Sequence, residues 1–172
     1  AALGQAKSAR NLPEQQGRFY SDSDLLRVQL YVISKLPNTQ RALNELNALY
    51  GQISRQPDAD DKLADVLYQR GLVYVDRLQQ FDKAIADLER YLVLVPNNAQ
   101  GMNALGYTIL TSPKPDIDRA FALIQEAYQA EPESAAINDS MGWAYYQKGD
   151  AEAALPYLQY AWETYPDPEV RA

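Results

Sequence analysis

The chain has 172 residues, 47% of them apolar and 23% charged, with a formal net charge of −7. It holds no cysteine and no histidine, which excludes a disulfide framework, a thiol nucleophile, a serine–histidine triad and an imidazole metal ligand. Sixteen basic against 23 acidic residues argue against binding nucleic acid through its phosphates, and no apolar run approaches the roughly 18–20 residues needed to cross a bilayer.

In chain order, residues 1–20 read as an N-terminal arm or the remnant of a preceding helix, interrupted at Pro13 and Gly17. Residues 21–63 read as a degenerate helical pair. Asp22 or Ser23 would cap a first helix through Leu36, with Leu25, Leu26, Val28, Leu30, Val32 and Ile33 supplying its apolar positions. Pro37, Asn38 and Thr39 make a turn, and a second helix from Gln40 to about Arg55 buries Ala42, Leu46, Leu49 and Ile53. Three units follow, at 64–98, 99–134 and 135–168. Their predicted helices run Lys62–Asp76 and Phe81–Leu94, then Ala99–Leu110 and Asp118–Ala130 across a Pro-rich turn, then Ala135–Gln147 and Ala151–Thr164. Residues 169–172 read as the start of a following helix. Neither end offers a polar cap, so the chain is expected to be a segment of a longer protein, with any signal or lipid anchor outside it.

The three units share marks. Gly71, Gly106 and Gly142 recur at intervals of 35 and 36 residues, and Pro96, Pro132 and Pro166 at intervals of 36 and 34. Twelve positions before each proline stands Ala84, Ala120 or Ala154, and four after each alanine comes Leu88, Ile124 or Leu158. Glycine inside a helix costs about 1 kcal/mol relative to alanine, a cost tolerable where a second helix must approach closely. The alanines would supply the matching small surface, and the prolines would stop each second helix. This spacing resembles the tetratricopeptide repeat, which implies an all-α chain: an αα-superhelix, a solenoid of antiparallel helix pairs.

No enzyme is expected. Asp60, Asp61, Glu131 and Glu133 read as solvated loop charges and helix caps, and Asp116, Asp118 and Asp150 as helix-start residues rather than metal ligands. No glycine motif cradles a phosphate, and no cofactor is implied. The first helix of each pair would instead line a concave surface. Counting each glycine as position 8, positions 2, 5, 9, 12 and 13 face inward. They are Asp65, Tyr68, Leu72, Val75 and Asp76; Gln100, Asn103, Tyr107, Leu110 and Thr111; and Ala136, Asp139, Trp143, Tyr146 and Gln147. From these, Tyr68, Gln100, Asn103, Tyr107, Asp139, Trp143, Tyr146 and Gln147 are the candidate peptide-binding residues. The amides would bond the backbone of an extended peptide and the aromatics would pack on its side chains. Tyr107 and Trp143 read equally as contacts to a next repeat. Tyr74, Tyr91, Tyr128, Tyr145 and Tyr157 fall on buried-face positions and are expected to pack between helices. With no lysine or arginine facing inward, capture of a free C-terminal carboxylate is not expected.

A narrower likeness lies in residues 103–108, 122–125 and 137–146. These blocks resemble long proteobacterial repeat lipoproteins, a family that includes the adaptor for a carboxyl-terminal processing protease; Met141 replaces that family's usual leucine. The resemblance implies a periplasmic, outer-membrane-anchored scaffold whose partner is a protease or a cell-wall enzyme. A cytoplasmic location is the alternative. A second functional reading makes the chain a structural or self-associating segment whose ligand site lies elsewhere.

Overall fold

A computed structural model describes residues 3–5, 8, 21–57 and 59–164, and among them there is no strand. Residues 3–5 and 8 are helical; the rest of 1–20, with Pro13 and Gly17, and Pro166 and 169–172 lie outside the described residues. Eight helices follow: α1 Asp22–Ser34, α2 Thr39–Ile53, α3 Asp60–Leu72, α4 Phe81–Leu94, α5 Ala99–Leu110, α6 Ile117–Ala130, α7 Ala135–Gln147 and α8 Ala151–Thr164. The chain divides into two compact units, Ala1–Leu94 and Val95–Ala172.

In the first unit, α1 is capped by Ser21, one residue before the expected caps, and ends at Ser34 rather than Leu36. The Ser21 side chain accepts from the Asp24 amide, and the Asp24 carboxylate accepts from the Ser21 amide at 3.1 Å, a reciprocal capping box. Asn38 caps α2 by accepting from the Arg41 amide at 2.8 Å. The expected long helix from Lys62 to Asp76 begins earlier, at Asp60, and gives way at Val73 to a π-helical turn, Val73–Arg77. Within that turn Tyr74 and Val75 are buried against Leu43 and Ala84. It also swings Arg77 back to α1, where the guanidinium donates to the carbonyls of Ser34 and Leu36 at 2.6 and 2.7 Å. Helix α1 has no basic residue in its own last turn, so Arg77 satisfies carbonyls that would otherwise lack partners.

A bidentate ion pair ties α3 to α4: Arg70 Nε and Nη2 donate to the Asp87 carboxylate at 2.6 and 2.7 Å. The same guanidinium reaches Asn47 of α2 at 3.0 Å and lies 4.4 Å from the centre of the Tyr50 ring. Both charged side chains are nearly covered, so their pairing offsets what would be a large desolvation cost.

In the second unit, α5 pairs with α6 and α7 with α8. Asn98, Asp116 and Asp150 cap α5, α6 and α8, accepting from Gly101, Arg119 and Ala153. Helix α7 has no such cap; Asn138 instead donates to the carbonyls of Pro132 and Ser134, locking the turn that enters it. Gly149, at φ +86°, makes the left-handed turn between α7 and α8, a conformation L side chains rarely adopt. Asp118 pairs with Lys148 at 2.5 Å and so joins α6 to the end of α7. The core is Ile109, Leu110, Ile124, Ile137, Met141 and Ala144, all nearly fully buried.

The repeat glycines do what their spacing predicts. A Cβ on Gly106 would stand 2.7 Å from Ile124 Cγ1 and 3.0 Å from the Ala120 carbonyl; one on Gly142 would stand 2.5 Å from Leu158 Cγ and 3.1 Å from the Ala154 carbonyl. At Gly71 the approach to Leu88 is looser, 3.0 Å. Ala84, Ala120 and Ala154 are buried, as the other half of that contact requires. The predicted packing tyrosines pack: Tyr145 meets Phe121 edge-on at 5.0 Å and stacks on Tyr157 at 5.5 Å, while Tyr128 meets Tyr157 edge-on at 5.4 Å.

Candidate functional site

Helices α5 and α7, the first members of the two pairs in the second unit, lie side by side. On α5 the helical period places Gln100, Asn103 and Tyr107 on one face. Gln100 is already engaged, donating to Glu131 at 2.7 Å. Tyr107 is 39% exposed, and its carbonyl accepts from the Thr111 hydroxyl at 2.8 Å. Asn103 is more enclosed than an inward-facing position suggests, at 9% exposed, and its Oδ1 is buried with no hydrogen-bond partner. Leaving such an acceptor unsatisfied costs about 1–3 kcal/mol.

On α7, Asp139, Trp143, Tyr146 and Gln147 are all exposed. Trp143, 37% exposed, stacks on Tyr146 with ring centres 5.4 Å apart and planes 21° from parallel. Neighbouring protein partly desolvates Asp139 and pushes its carboxyl above the usual carboxylate range. The face therefore combines a rigid aromatic platform, a carboxylate held at an energetic cost and a buried amide oxygen lacking a donor.

The other candidate, Tyr68, sits on α3 in the first unit, with its ring 5.2 Å from that of Tyr91. It lines a cavity of about 220 Å³ with Arg27, Leu30, Tyr31, Ser34, Asp65 and Gln69. Of the remaining inward-facing positions, Val75 and Leu110 are buried core residues, although Tyr146 at the same register position of the third repeat is exposed. Sequence reasoning missed the contribution of α1 to this cavity. It also missed the Arg70–Asp87 pair, although the signal was present: Arg70 precedes the repeat glycine where the other units have Leu105 and Met141, and Asp87 stands where they have Leu123 and Tyr157. Among the described residues no group of three or more carboxylates could hold a metal ion.

Residues 65–98 and 140–168 match the tetratricopeptide repeat family model. A TPR repeat-containing protein of Pseudomonas aeruginosa, PA4667, is 34% identical over 149 residues, covering 84% of this chain and 24% of that protein. The chain thus spans about a quarter of the length of this curated relative. Among solved structures, MamA from Desulfovibrio magneticus RS-1 superposes with a TM-score of 0.63 at 19% identity, covering 95% of this chain and 96% of that one. A second MamA structure, AMB-1, gives 0.62 at 21% identity over 93% and 92%. These likenesses concern the fold. Residues 65–98 and 140–168 thus carry tetratricopeptide repeats, and the solved structures share the all-α fold of the chain.

Proposed function

We propose that the chain is a protein-interaction scaffold that holds an extended peptide segment of its partner along the α5/α7 face. The observation that carries this reading is the exposed Trp143–Tyr146 stack on α7, with Tyr107 exposed on α5 and, one helical turn from Tyr107, the Asn103 acceptor without a donor. With the Asn103 side chain turned outward, a backbone N–H from an extended segment would supply the donor that Oδ1 lacks, and the rings would cover its side chains. The finer part of the proposal is an envelope adaptor recruiting a protease or cell-wall enzyme. It is supported by the resemblance of residues 103–108 and 137–146 to repeat lipoproteins. Capture from a Pseudomonas envelope extract tests both parts, comparing wild type with Trp143→Ala. A periplasmic hydrolase retained by wild type and lost by the variant supports the reading. Retention of only cytosolic proteins, equally by both, contradicts it.

A second reading is favoured by Leu155 and Trp162, 65% and 51% exposed on α8. They follow Ala154 by one and eight positions, as Phe121 and Tyr128 follow Ala120. Phe121 and Tyr128 are met by Tyr145 and Tyr157 of the α7/α8 pair. The outer face of α8 thus presents the surface on which, one repeat earlier, another helix pair stacks. Sedimentation of wild type against Trp162→Glu tests it: concentration-dependent association lost in the variant supports self-stacking, and a monomer at all concentrations opposes it.

A further inference from the structure

The first unit carries a groove with a chemistry of its own. Helices α1 and α3, the first members of consecutive pairs, leave two cavities between them. The cavity at Tyr68, about 220 Å³, holds Asp65 and three tyrosines, Tyr31, Tyr68 and Tyr91. Farther along, a cavity of about 200 Å³ holds Asp76 between Lys35, Leu72 and Arg77. Ser34 and Gln69 line both, so the two cavities are halves of one groove.

Each half contains one carboxylate without a donor. Among the described residues neither half-buried Asp65 nor the more exposed Asp76 accepts a hydrogen bond or closes an ion pair; longer-range charges act on them, Arg27 and the like-charged Asp61 on Asp65 and Arg77 on Asp76. The cations of the groove are committed elsewhere or stand off. Arg77 is spent on the carbonyls of Ser34 and Leu36, Lys35 lies 5.6 Å from the centre of the Tyr31 ring, and exposed Arg27 does not close onto Asp65. Burial pushes both carboxyls above their usual range, which an arriving cation would relieve. Tyrosine faces beside a carboxylate suit the stem and head of lysine or arginine, through stem packing and cation–π attraction. The net charge of −7 favours a basic partner.

We propose that this groove holds an extended peptide segment bearing two basic side chains, one seated at Asp65 and the other at Asp76. Eleven residues of α3 and the following π turn separate the two carboxylates, at most ~16 Å at about 1.5 Å per residue. An extended segment rising about 3.3 Å per residue covers this in roughly five residues, and same-side spacing of four, with side-chain reach, spans it. The proposal rests on the peptide-binding reading above and names a partner chemistry for the first unit alone.

The test uses the full 172-residue chain and a fluorescein-labelled ten-residue Gly/Ser peptide carrying two arginines four positions apart, read by anisotropy at low salt. A peptide with adjacent arginines is the control. The spaced peptide is expected to bind at least fivefold more tightly than the control. Asp65→Asn and Asp76→Asn should each weaken it about five- to tenfold with undiminished melting temperature, and Trp143→Ala should leave it unchanged. Equal affinity for the two peptides, or undiminished binding by both Asn variants, overturns the proposal. Partner capture that depends on Trp143 without any preference for the spaced peptide overturns this inference while sustaining the reading of the α5/α7 face.

Discussion

Gly142 and Leu158 touch so closely that a methyl group between them has no room: a Cβ on the glycine would lie 2.5 Å from Leu158 Cγ and 2.7 Å from Cδ2, with the Ala154 carbonyl behind at 3.1 Å. Helix propensity favours alanine over glycine by about 1 kcal/mol, and the overlap must exceed that for the glycine to be required. Overpacking a tight contact costs about 1–3 kcal/mol. Gly142→Ala and Gly106→Ala are therefore expected to lower stability to urea by about 1–2 kcal/mol net. Gly71→Ala, where Leu88 stands 3.0 Å off, should be close to neutral. Equal effects at all three sites would contradict the close-approach account.

The Arg70–Asp87 pair makes a different prediction. Removing one member of a covered ion pair leaves the other charged and without its partner, at a cost of about 3–5 kcal/mol. Asp87→Ala should fall in that range, since it also frees the guanidinium from its anchor between Asn47 and Tyr50. The double change Arg70→Leu with Asp87→Leu, which restores the apolar pattern of the other units, should recover most of the loss. A double variant as unstable as Asp87→Ala would show that the pair is irreplaceable rather than merely satisfied.

Asn103 predicts a conflict between stability and binding. Replacing a buried amide that lacks a partner by an apolar side chain of similar size removes a desolvation penalty. Asn103→Leu should raise stability by about 1 kcal/mol while weakening any partner that donates to Oδ1. Calorimetry on the variant checks the first half, and loss of stability would mean that the amide is satisfied in solution.

The raised carboxyl of Asp139 fixes a pH dependence. Its folded-state pKa lies above the unfolded value, so the folded state disfavours the charged form. The penalty is absent below the unfolded pKa, grows as pH rises through that value toward the folded pKa, and is complete above it. Asp139→Asn should therefore melt higher than wild type at pH 7 and equally at pH 3. A variant that melts lower at pH 7 would mean that the carboxylate has a stabilising partner.

The helix pairs were readable because the repeat places small residues where helices must meet; Gly106, Ala120, Gly142 and Ala154 carry backbone geometry directly in their identity. All eight predicted boundaries in the second unit came within one residue for the same reason: Asn98, Asp116, Gly149 and Asp150 are turn and cap residues by type. What periodicity hides is where a helix changes hand-hold. Nothing in residues 73–77 announces the π turn, which depends on Tyr74 and Val75 finding Leu43 and Ala84 at long range. The eight candidate binding residues were placed by one register rule, and the rule separates faces more coarsely than burial does. It put Trp143 and Tyr146 in the open and Asn103 almost out of reach. It missed Arg27, Tyr31 and Ser34 because they belong to the degenerate pair, where no glycine marks the register.

The most direct measurement pans a random ten-residue peptide library against the chain and titrates the recovered peptides against four variants by calorimetry. The account predicts at least a tenfold loss of affinity for Trp143→Ala and Asn103→Leu, and unchanged affinity for Leu155→Glu and Trp162→Glu. Peptides whose affinity survives the first two changes and falls with the last two would contradict it, placing recognition on the outer face of α8.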